Sequence, residues 1–459
     1  MILTTKNLGK IRTATIDLSK PLIVFCGPNG TGKTYLSYLI DHIFSSVGSY
    51  MCKSKSLSKS QIEVLHNEGE LHVQIENSDV TDYLNELCET SKSSLGDLFA
   101  LSDEDVKKLF PSFFVESILT DADDLSSVDF SCNVIANSGK YHITKKSGDL
   151  FASVKYVSIS KDNDALSVVI NDTYERHMLY SQIYNRIIES MLGGVTMLPV
   201  ERNSIYTFNK ELSLSRNMVI DQVQKLVNNE EVNPLDFLRQ RTRRYPKAIV
   251  EGLAVANDLN TIKKKQGFYY DLATEVEQNL LQGVLDTNSE GDVVYKMTKT
   301  KKLPIQITSS MVKTIASLIF YVKYIAKKGE TIIIDEPEMN LHPANQVLLA
   351  EAIIKFIKAG LRFIISTHSD YIVREINKCI LLYNVCEKQG NCPDGFNKEL
   401  ALSINDVDMY YFYPTGKEQK VSVERLKRDS ENCYSIASID ETISQQNEEL
   451  NILFEKLYS

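Results

Sequence analysis

Long apolar runs are missing from this 459-residue chain. A membrane-spanning helix needs roughly 18 consecutive apolar residues, and the stretch from Ile315 to Tyr321 is already broken by Lys323. The opening Met1-Ile2-Leu3-Thr4-Thr5-Lys6 lacks the apolar core of a signal peptide. A location in the cytoplasm, away from membrane, is therefore expected. Paired cysteine motifs are missing too. The 8 cysteines are scattered, which predicts reduced thiols rather than a disulfide framework. Cys379, Cys386 and Cys392 lie close together and resemble half a zinc site, without a second Cys/His pair to complete it. An excess of positive charge is also lacking: 51 basic residues face 60 acidic ones, net −9. The whole molecule is thus not a cationic nucleic-acid binder, and any such contact must be a local patch. No internal repeat, low-complexity tract or sustained heptad is visible, which excludes solenoids and long coiled coils.

What remains is ordinary globular material, 43% hydrophobic and 24% charged, long enough for about three lobes. Short β-type runs at Ile2–Asn7 and Ile11–Leu18 precede Pro21–Cys26, a continuous apolar run of the kind buried on both faces. Residues 61–125 are helical in tendency and strongly acidic, with sixteen Asp/Glu against Lys92, Lys107 and Lys108. A β meander is expected from Val128–Ile135, Tyr141–Thr144, Val154–Ser158 and Leu166–Ile170, then a helix over Glu175–Leu192 and a strand over Val195–Val200. Interrupted helical patterns fill 209–285. Alternating helix and strand return with 309–327, 331–334, 344–359 and 362–366, and the overall class is α/β. Beyond these, Ile380–Tyr383 reads as a strand and Glu441–Leu457 as a closing helix.

Three segments carry chemistry. Gly27-Pro28-Asn29-Gly30-Thr31-Gly32-Lys33-Thr34 fits G-x-x-x-x-G-K-[ST], with a buried-strand pattern before it and a helical pattern after. Glycines let successive backbone N–H groups of Asn29, Gly30, Thr31 and Gly32 curl toward phosphate oxygens. Lys33 is placed to reach the β- and γ-phosphates and the Thr34 hydroxyl to ligate Mg²⁺. The second segment, Thr331–Glu336, is an apolar strand ending in two acids. Asp335 would hold Mg²⁺ and Glu336 would orient or deprotonate the attacking water. In the third, Phe363–His368, a buried strand ends in a histidine. One helix separates it from the acidic strand, so a neighbouring parallel strand would bring His368 to the same sheet edge.

Together with Asp335-Glu336-Pro337-Glu338-Met339-Asn340-Leu341-His342-Pro343 and Ser366-Thr367-His368-Ser369, the phosphate loop resembles the ABC-type ATPases. The branch it resembles contains RecF, the SMC and Rad50 heads and the OLD (overcoming lysogenisation defect) proteins. It is most similar to OLD-like stand-alone ATPases, many of them from bacterial antiphage systems. Leu198-Pro199-Val200-Glu201-Arg202 resembles a segment of the same group. The resemblance implies an ATPase head with a mixed sheet, an antiparallel β region and a helical lobe, requiring ATP and Mg²⁺. It also implies head-to-head homodimers, or higher homo-oligomers, in which one protomer's ATP is closed by the other's signature loop. That loop would be Thr308–Lys313, with Ser309 and Ser310 facing the γ-phosphate. The domain reading that follows is a first ATPase half over 1–50, an inserted lobe over 51–304, a second half over 305–400 and a C-terminal docking or sheet-edge segment over 401–459.

This chain also departs from the family pattern. The signature segment has no glycine, and Ser309 and Ser310 are equally good helix caps. About 300 residues separate Lys33 from Asp335 without heptads, so long arms are excluded. Asp406 and Asp408 form an Asp-x-Asp without the strand and glycine turn of a nuclease centre. Arg202 has two readings, a place near the nucleotide or a surface ion pair with Glu201. Residues 237–302 hold twelve basic against eight acidic residues, a net +4. They read either as a solvated helical face or as a phosphate track with Tyr245, Phe268, Tyr269 and Tyr270 to stack on bases. Three functions follow: an ATPase whose nucleotide state controls a separate effector such as a nuclease or toxin, an ATP-gated DNA-binding repair protein, and a scaffold glued by ATP with negligible turnover.

Overall fold

The computed structural model describes residues 1–120, 123–136, 139–158, 172–208, 245–298, 300–416, 420–429 and 433–458. The strands are β1 (Ile2–Leu8), β2 (Ile11–Asp17), β3 (Leu22–Cys26), β4 (Glu70–Gln74), β5 (Phe114–Ile118), β6 (Phe130–Ala136), β7 (Gly139–Lys145), β8 (Phe151–Ser158), β9 (Val195–Leu198), β10 (Val284–Thr287), β11 (Val293–Lys296), β12 (Lys302–Pro304), β13 (Thr331–Asp335), β14 (Arg362–Thr367), β15 (Val407–Thr415) and β16 (Lys420–Arg425). The described helices are α1 (Lys33–Ser45), α2 (Lys59–Glu68), α3 (Asn77–Ser93), α4 (Leu95–Phe99), α5 (Asp103–Leu109), α6 (Asp172–Leu192), α7 (Lys247–Ile262), α8 (Tyr270–Leu281), α9 (Ser310–Tyr324), α10 (Pro343–Lys358), α11 (Asp370–Gln389) and α12 (Ala437–Tyr458).

The continuous apolar runs do what a strand covered on both faces must do. Every residue of β3 and β13 is buried, and β9, β13, β14, β3 and β15 pair in parallel. They form one side of a nine-stranded mixed sheet of order β5-β1-β2-β16-β15-β3-β14-β13-β9. Helices cover the parallel part from two directions. Leu36, Leu39, Ile40 and Ile43 of α1 share one core with Ile23 and Phe25, while Ile315, Ile319, Ile353 and Ile376 of α9, α10 and α11 share the other with Leu22 and Val24. The meander closes separately as an antiparallel sheet, β4-β8-β7-β6, and β10-β11-β12 forms a small third one. This is an α/β head with a mixed sheet, antiparallel strands and helices. Among the described residues there is no long coiled coil, and no helix is long and apolar enough to cross a membrane.

Several expectations need correction. The acidic segment 61–125 is not wholly helical, since it contributes β4 and β5. The boundaries drawn at 51–304 and 401–459 cut across the main sheet. β5 and β9 form its two edges, and β15 and β16 lie in its interior, so this part of the C-terminal segment is not a sheet edge. Ile380–Tyr383 is not a strand but part of α11, where Ile372, Val373, Ile376, Cys379 and Ile380 make a buried helical stripe. Cys386 and Cys392 are joined by a disulfide, contrary to the expected reduced thiols. Asp408 is not half of a metal pair: it is 1% exposed and accepts a 2.6 Å hydrogen bond from Arg425 of β16. Leu166–Ile170 lies outside the described residues.

Candidate active site

Parallel pairing puts the C-terminal ends of β3, β13 and β14 side by side, with Thr367 opposite Cys26 and Ser366 opposite Asp335. The chain leaves β3 through the glycine loop. Gly27 has φ 135°, and a Cβ there would collide with the carbonyl oxygen of Phe412, so glycine is required where the loop crosses β15. β15 is thus the floor of the loop, a role no motif announced. The loop ends at Gly32 in the left-handed region, φ 90°, and α1 starts without a side-chain cap. An uncapped helix N-terminus keeps its N–H groups and dipole directed at an anion.

A cavity of about 390 Å³ opens here, lined by Lys10, Asn29 to Tyr35, Asp335, Glu336 and His368. The structure brings together the cis residues expected from the motifs. Thr34 donates to Asp335 Oδ2 at 2.7 Å, and Ser366 donates to the other oxygen of the same carboxylate. Asp335 is 1% exposed, and burial raises its pKa against those hydrogen bonds. A buried carboxylate touching a threonine hydroxyl at the loop is a donor set that fits Mg²⁺, a hard cation preferring oxygen. Lys33 donates to the carbonyls of Gly27 and Pro28 at 2.8 and 2.9 Å. Burial lowers its pKa to about 8, against the pull of Asp335. The ammonium therefore rests on neutral acceptors beside the place where phosphate charge would satisfy it.

Glu336 follows the strand at φ 46°, a left-handed conformation unusual for a glutamate. It turns the carboxylate toward the cavity, where Oε1 lies 3.6 Å from His368 Nε2. Burial, then the charge of Lys33, lowers the His368 pKa to about 4, so the imidazole is neutral at pH 7. A neutral imidazole beside a half-exposed carboxylate can orient a water that approaches both from the cavity.

Two residues stand behind this pair: Arg202, one of whose two readings placed it near the nucleotide, and Glu338, for which no role was expected. Arg202 is 2% exposed, which excludes the surface ion pair with Glu201. Its guanidinium donates to the carbonyls of Asp335 at 2.5 Å, Glu336 at 2.6 Å and Pro199 at 3.0 Å. Glu338 Oε1 accepts from the His368 N–H at 2.6 Å and from Thr367 Oγ1 at 2.8 Å. Burial raises the pKa of Glu338.

Ser309 and Ser310 are not part of this cavity. Both are exposed at the start of α9, where Ser309 caps the helix by accepting from the Val312 N–H at 3.4 Å. The basic segment is only partly described: Arg239, Arg241, Arg243, Arg244 and Lys299 lie outside the described residues. Of the others, Lys263 and Lys296 share Asp286 as their partner, which offsets one of their two charges in any phosphate track.

Residues 1–373 match the AAA ATPase domain family, and the chain belongs to it. A curated relative, the uncharacterized ABC transporter ATP-binding protein YhaQ of Bacillus subtilis, is 27% identical over 190 residues. The match covers 40% of this chain and 57% of the relative, so the chain spans little more than half of that protein's length. Among solved structures, the SMC head domain from Thermotoga maritima matches with a TM-score of 0.33 at 10% identity, covering 93% of this chain and 98% of that one. An SMC head bound to the C-terminal winged-helix domain of ScpA matches with a TM-score of 0.35 at 13% identity, covering 93% and 97%. The Pyrococcus furiosus SMC head with an extended coiled coil matches with a TM-score of 0.35 at 11% identity, covering 98% of each chain.

Proposed function

We propose that this chain is an OLD-like, ABC-type ATPase that binds and hydrolyses ATP with Mg²⁺ at a head-to-head dimer interface. Its nucleotide state controls a separate effector protein, a nuclease or toxin, in cytoplasmic antiphage defence. The observation that supports this most is the convergence, at one sheet edge, of Thr34 on Asp335 and of Glu336 on His368. Lys33 and the loop N–H groups hold the β- and γ-phosphates. Thr34 and Asp335 would hold the metal ion, which would offset phosphate charge. Glu336 takes the proton of the attacking water, and neutral His368 holds that water or the γ-phosphate oxygen by a hydrogen bond. Ser309 and Ser310 of the partner copy complete the γ-phosphate shell. The motif residues gather around one cavity, while Asp408 of the Asp-x-Asp is taken up by an ion pair with Arg425, which favours an effector on another chain.

The test uses Glu336→Gln, which keeps the shape and removes the base. Mg-ATP should still bind, hydrolysis should fall roughly 10²-fold or more, and the protein should accumulate as an ATP-bound dimer by light scattering. Wild-type turnover in this variant would move the base elsewhere. For effector control, the product of a neighbouring gene should change its activity with ATP and with this substitution. Indifference to both removes that part of the proposal.

A further inference from the structure

The acid–histidine pair stands on a turn that is braced from beneath. Glu336 is in the left-handed region; its N–H donates to the Ser366 carbonyl at 2.9 Å and its carbonyl accepts from the Met339 N–H at 3.1 Å. A carbonyl oxygen has a second lone pair for a further donor. Three carbonyls converge, those of Pro199, Asp335 and Glu336, and one buried guanidinium serves all three. A guanidinium offers several donors in a rigid plane, whereas an ammonium is a point that cannot span them.

His368 is held in a matching way from the other side. Its peptide N–H and the hydroxyl of Thr367 both end on Glu338 Oε1. Glu338 is three residues after Asp335, on the same turn as Glu336. The second oxygen, Oε2, is buried and has no hydrogen-bond partner, so the carboxylate is spent on the His368 strand end alone.

We infer that Arg202 and Glu338 are positioning residues of the hydrolytic step, Arg202 setting the direction of Glu336 and Glu338 setting that of His368. Neither faces the cavity, so each acts through its partner. This rests on the ATPase reading above but goes beyond it, because it assigns two side chains whose work is geometry. It also explains what the Leu198–Arg202 segment does, which is to carry a cation beneath the acidic strand.

The experiment is a pair of double-mutant cycles on the full chain, read by single-turnover hydrolysis, by calorimetric ATP affinity and by thermal melting. Arg202→Lys should lower hydrolysis about 10- to 100-fold, the scale of a misplacement near 1 Å, with ATP affinity within twofold of wild type. In a Glu336→Gln background, Arg202→Lys should change hydrolysis less than about threefold, since the group it positions is already gone. Glu338→Ala should behave likewise against His368→Ala. Glu338→Gln, which keeps one carbonyl oxygen for both donors, should restore most of the loss. If both losses multiply instead of saturating, the residues support the fold generally and the inference is overturned. Equal loss of ATP affinity and hydrolysis in Arg202→Lys would overturn it too, by making the arginine part of nucleotide binding. Arg202→Met serves where the lysine variant melts early: normal hydrolysis in a folded Met variant would also overturn it. Hydrolysis absent in the wild type would instead defeat the ATPase reading, a different and distinguishable result.

Discussion

Two helix N-termini in this molecule were both expected to meet phosphate, and they are built in opposite ways. α1 begins after Gly32 with no side-chain cap, at the end of a fully buried parallel strand, with Lys33 and Asp335 beside it. α9 begins after Ser309, whose hydroxyl already serves the Val312 N–H, and its first residues face solvent. An uncapped N-terminus in a cleft is unsatisfied until an anion arrives. A capped one is satisfied, and gains from an anion only when something is brought to it. In the proposed function the first binds nucleotide from within one chain. The second joins the site only when another copy delivers its nucleotide.

The contrast predicts very different costs for single changes. Lys33→Ala removes the ammonium from the uncapped site. Losing one partner of a buried charge contact costs about 2–5 kcal/mol, so calorimetry should show ATP affinity falling by roughly 10³-fold. Equal affinity in the two proteins would break the phosphate-loop assignment. Ser310→Glu acts at the other terminus. Two charges a few Å apart in a partly dry seam cost several kcal/mol at an effective dielectric near 20, enough to reduce closure more than about a hundredfold. ATP should still bind each protomer, while ATP-dependent association and hydrolysis both fail. Normal hydrolysis by a monomeric Ser310→Glu protein would leave α9 with a helix cap and nothing more.

The difference also explains what was legible in the sequence. Parallel strands covered on both faces have to be continuous apolar runs, so β3, β13 and β14 and the acids and histidine at their ends could be read directly. Short or half-exposed strands inside a charged segment carry no such signal: Phe114–Ile118 reads Phe-Val-Glu-Ser-Ile and is paired along β1 only by tertiary context. β15 was obscured by Asp408, a buried acid tolerable only because Arg425 lies on the adjacent strand. Four apolar residues at 380–383 read as a strand when taken alone, although they continue a buried stripe that begins at Ile372, in the first turn of α11. Arg202 and Glu338 stood inside family-like segments, but their contacts could not be read there because most of their partners are backbone groups, which every residue carries.

Within the uncapped site, acidity gives a finer test. Lys33 is lowered from 10.5 to about 8 by burial, and bound phosphate would restore the higher value, so binding above pH 8 must take up a proton. The protonated fraction drops roughly tenfold from pH 7 to pH 9, and ATP affinity should weaken by about that factor. The sign for stability without nucleotide is opposite. Between pH 8 and 10.5 the unfolded chain holds more protons at this lysine than the folded one, so the Lys33 contribution to stability rises with pH. His368, lowered from 6.5 to about 4, behaves likewise lower down: its contribution is lost as pH falls from 6.5 to 4. ATP affinity unchanged at pH 9 would mean that Lys33 is not the cation that meets phosphate.

The smallest effect belongs to the capped terminus. Ser309→Ala removes the acceptor for the Val312 N–H, and N-cap losses run about 0.5–2 kcal/mol. The bond is long at 3.4 Å and the site is exposed, which puts the expected loss near the lower limit, about 0.5 kcal/mol. In a chain of 459 residues unfolding as one unit that is a fall in Tm of only about 0.5 °C, measurable by calorimetry. The hydroxyl can accept from the helix while its own proton points outward, so cap and trans contact are compatible in one serine. If the outward proton meets a partner's γ-phosphate, Ser309→Ala should also slow hydrolysis several-fold, about the scale of one neutral hydrogen bond, and leave ATP affinity of the separate protomers intact. A lowered Tm with unchanged hydrolysis assigns Ser309 to the cap alone and leaves Ser310 to carry the seam. Slower hydrolysis at an unchanged Tm would mean that the 3.4 Å cap adds nothing, and that α9 resembles α1 after all: a helix end kept open for an anion.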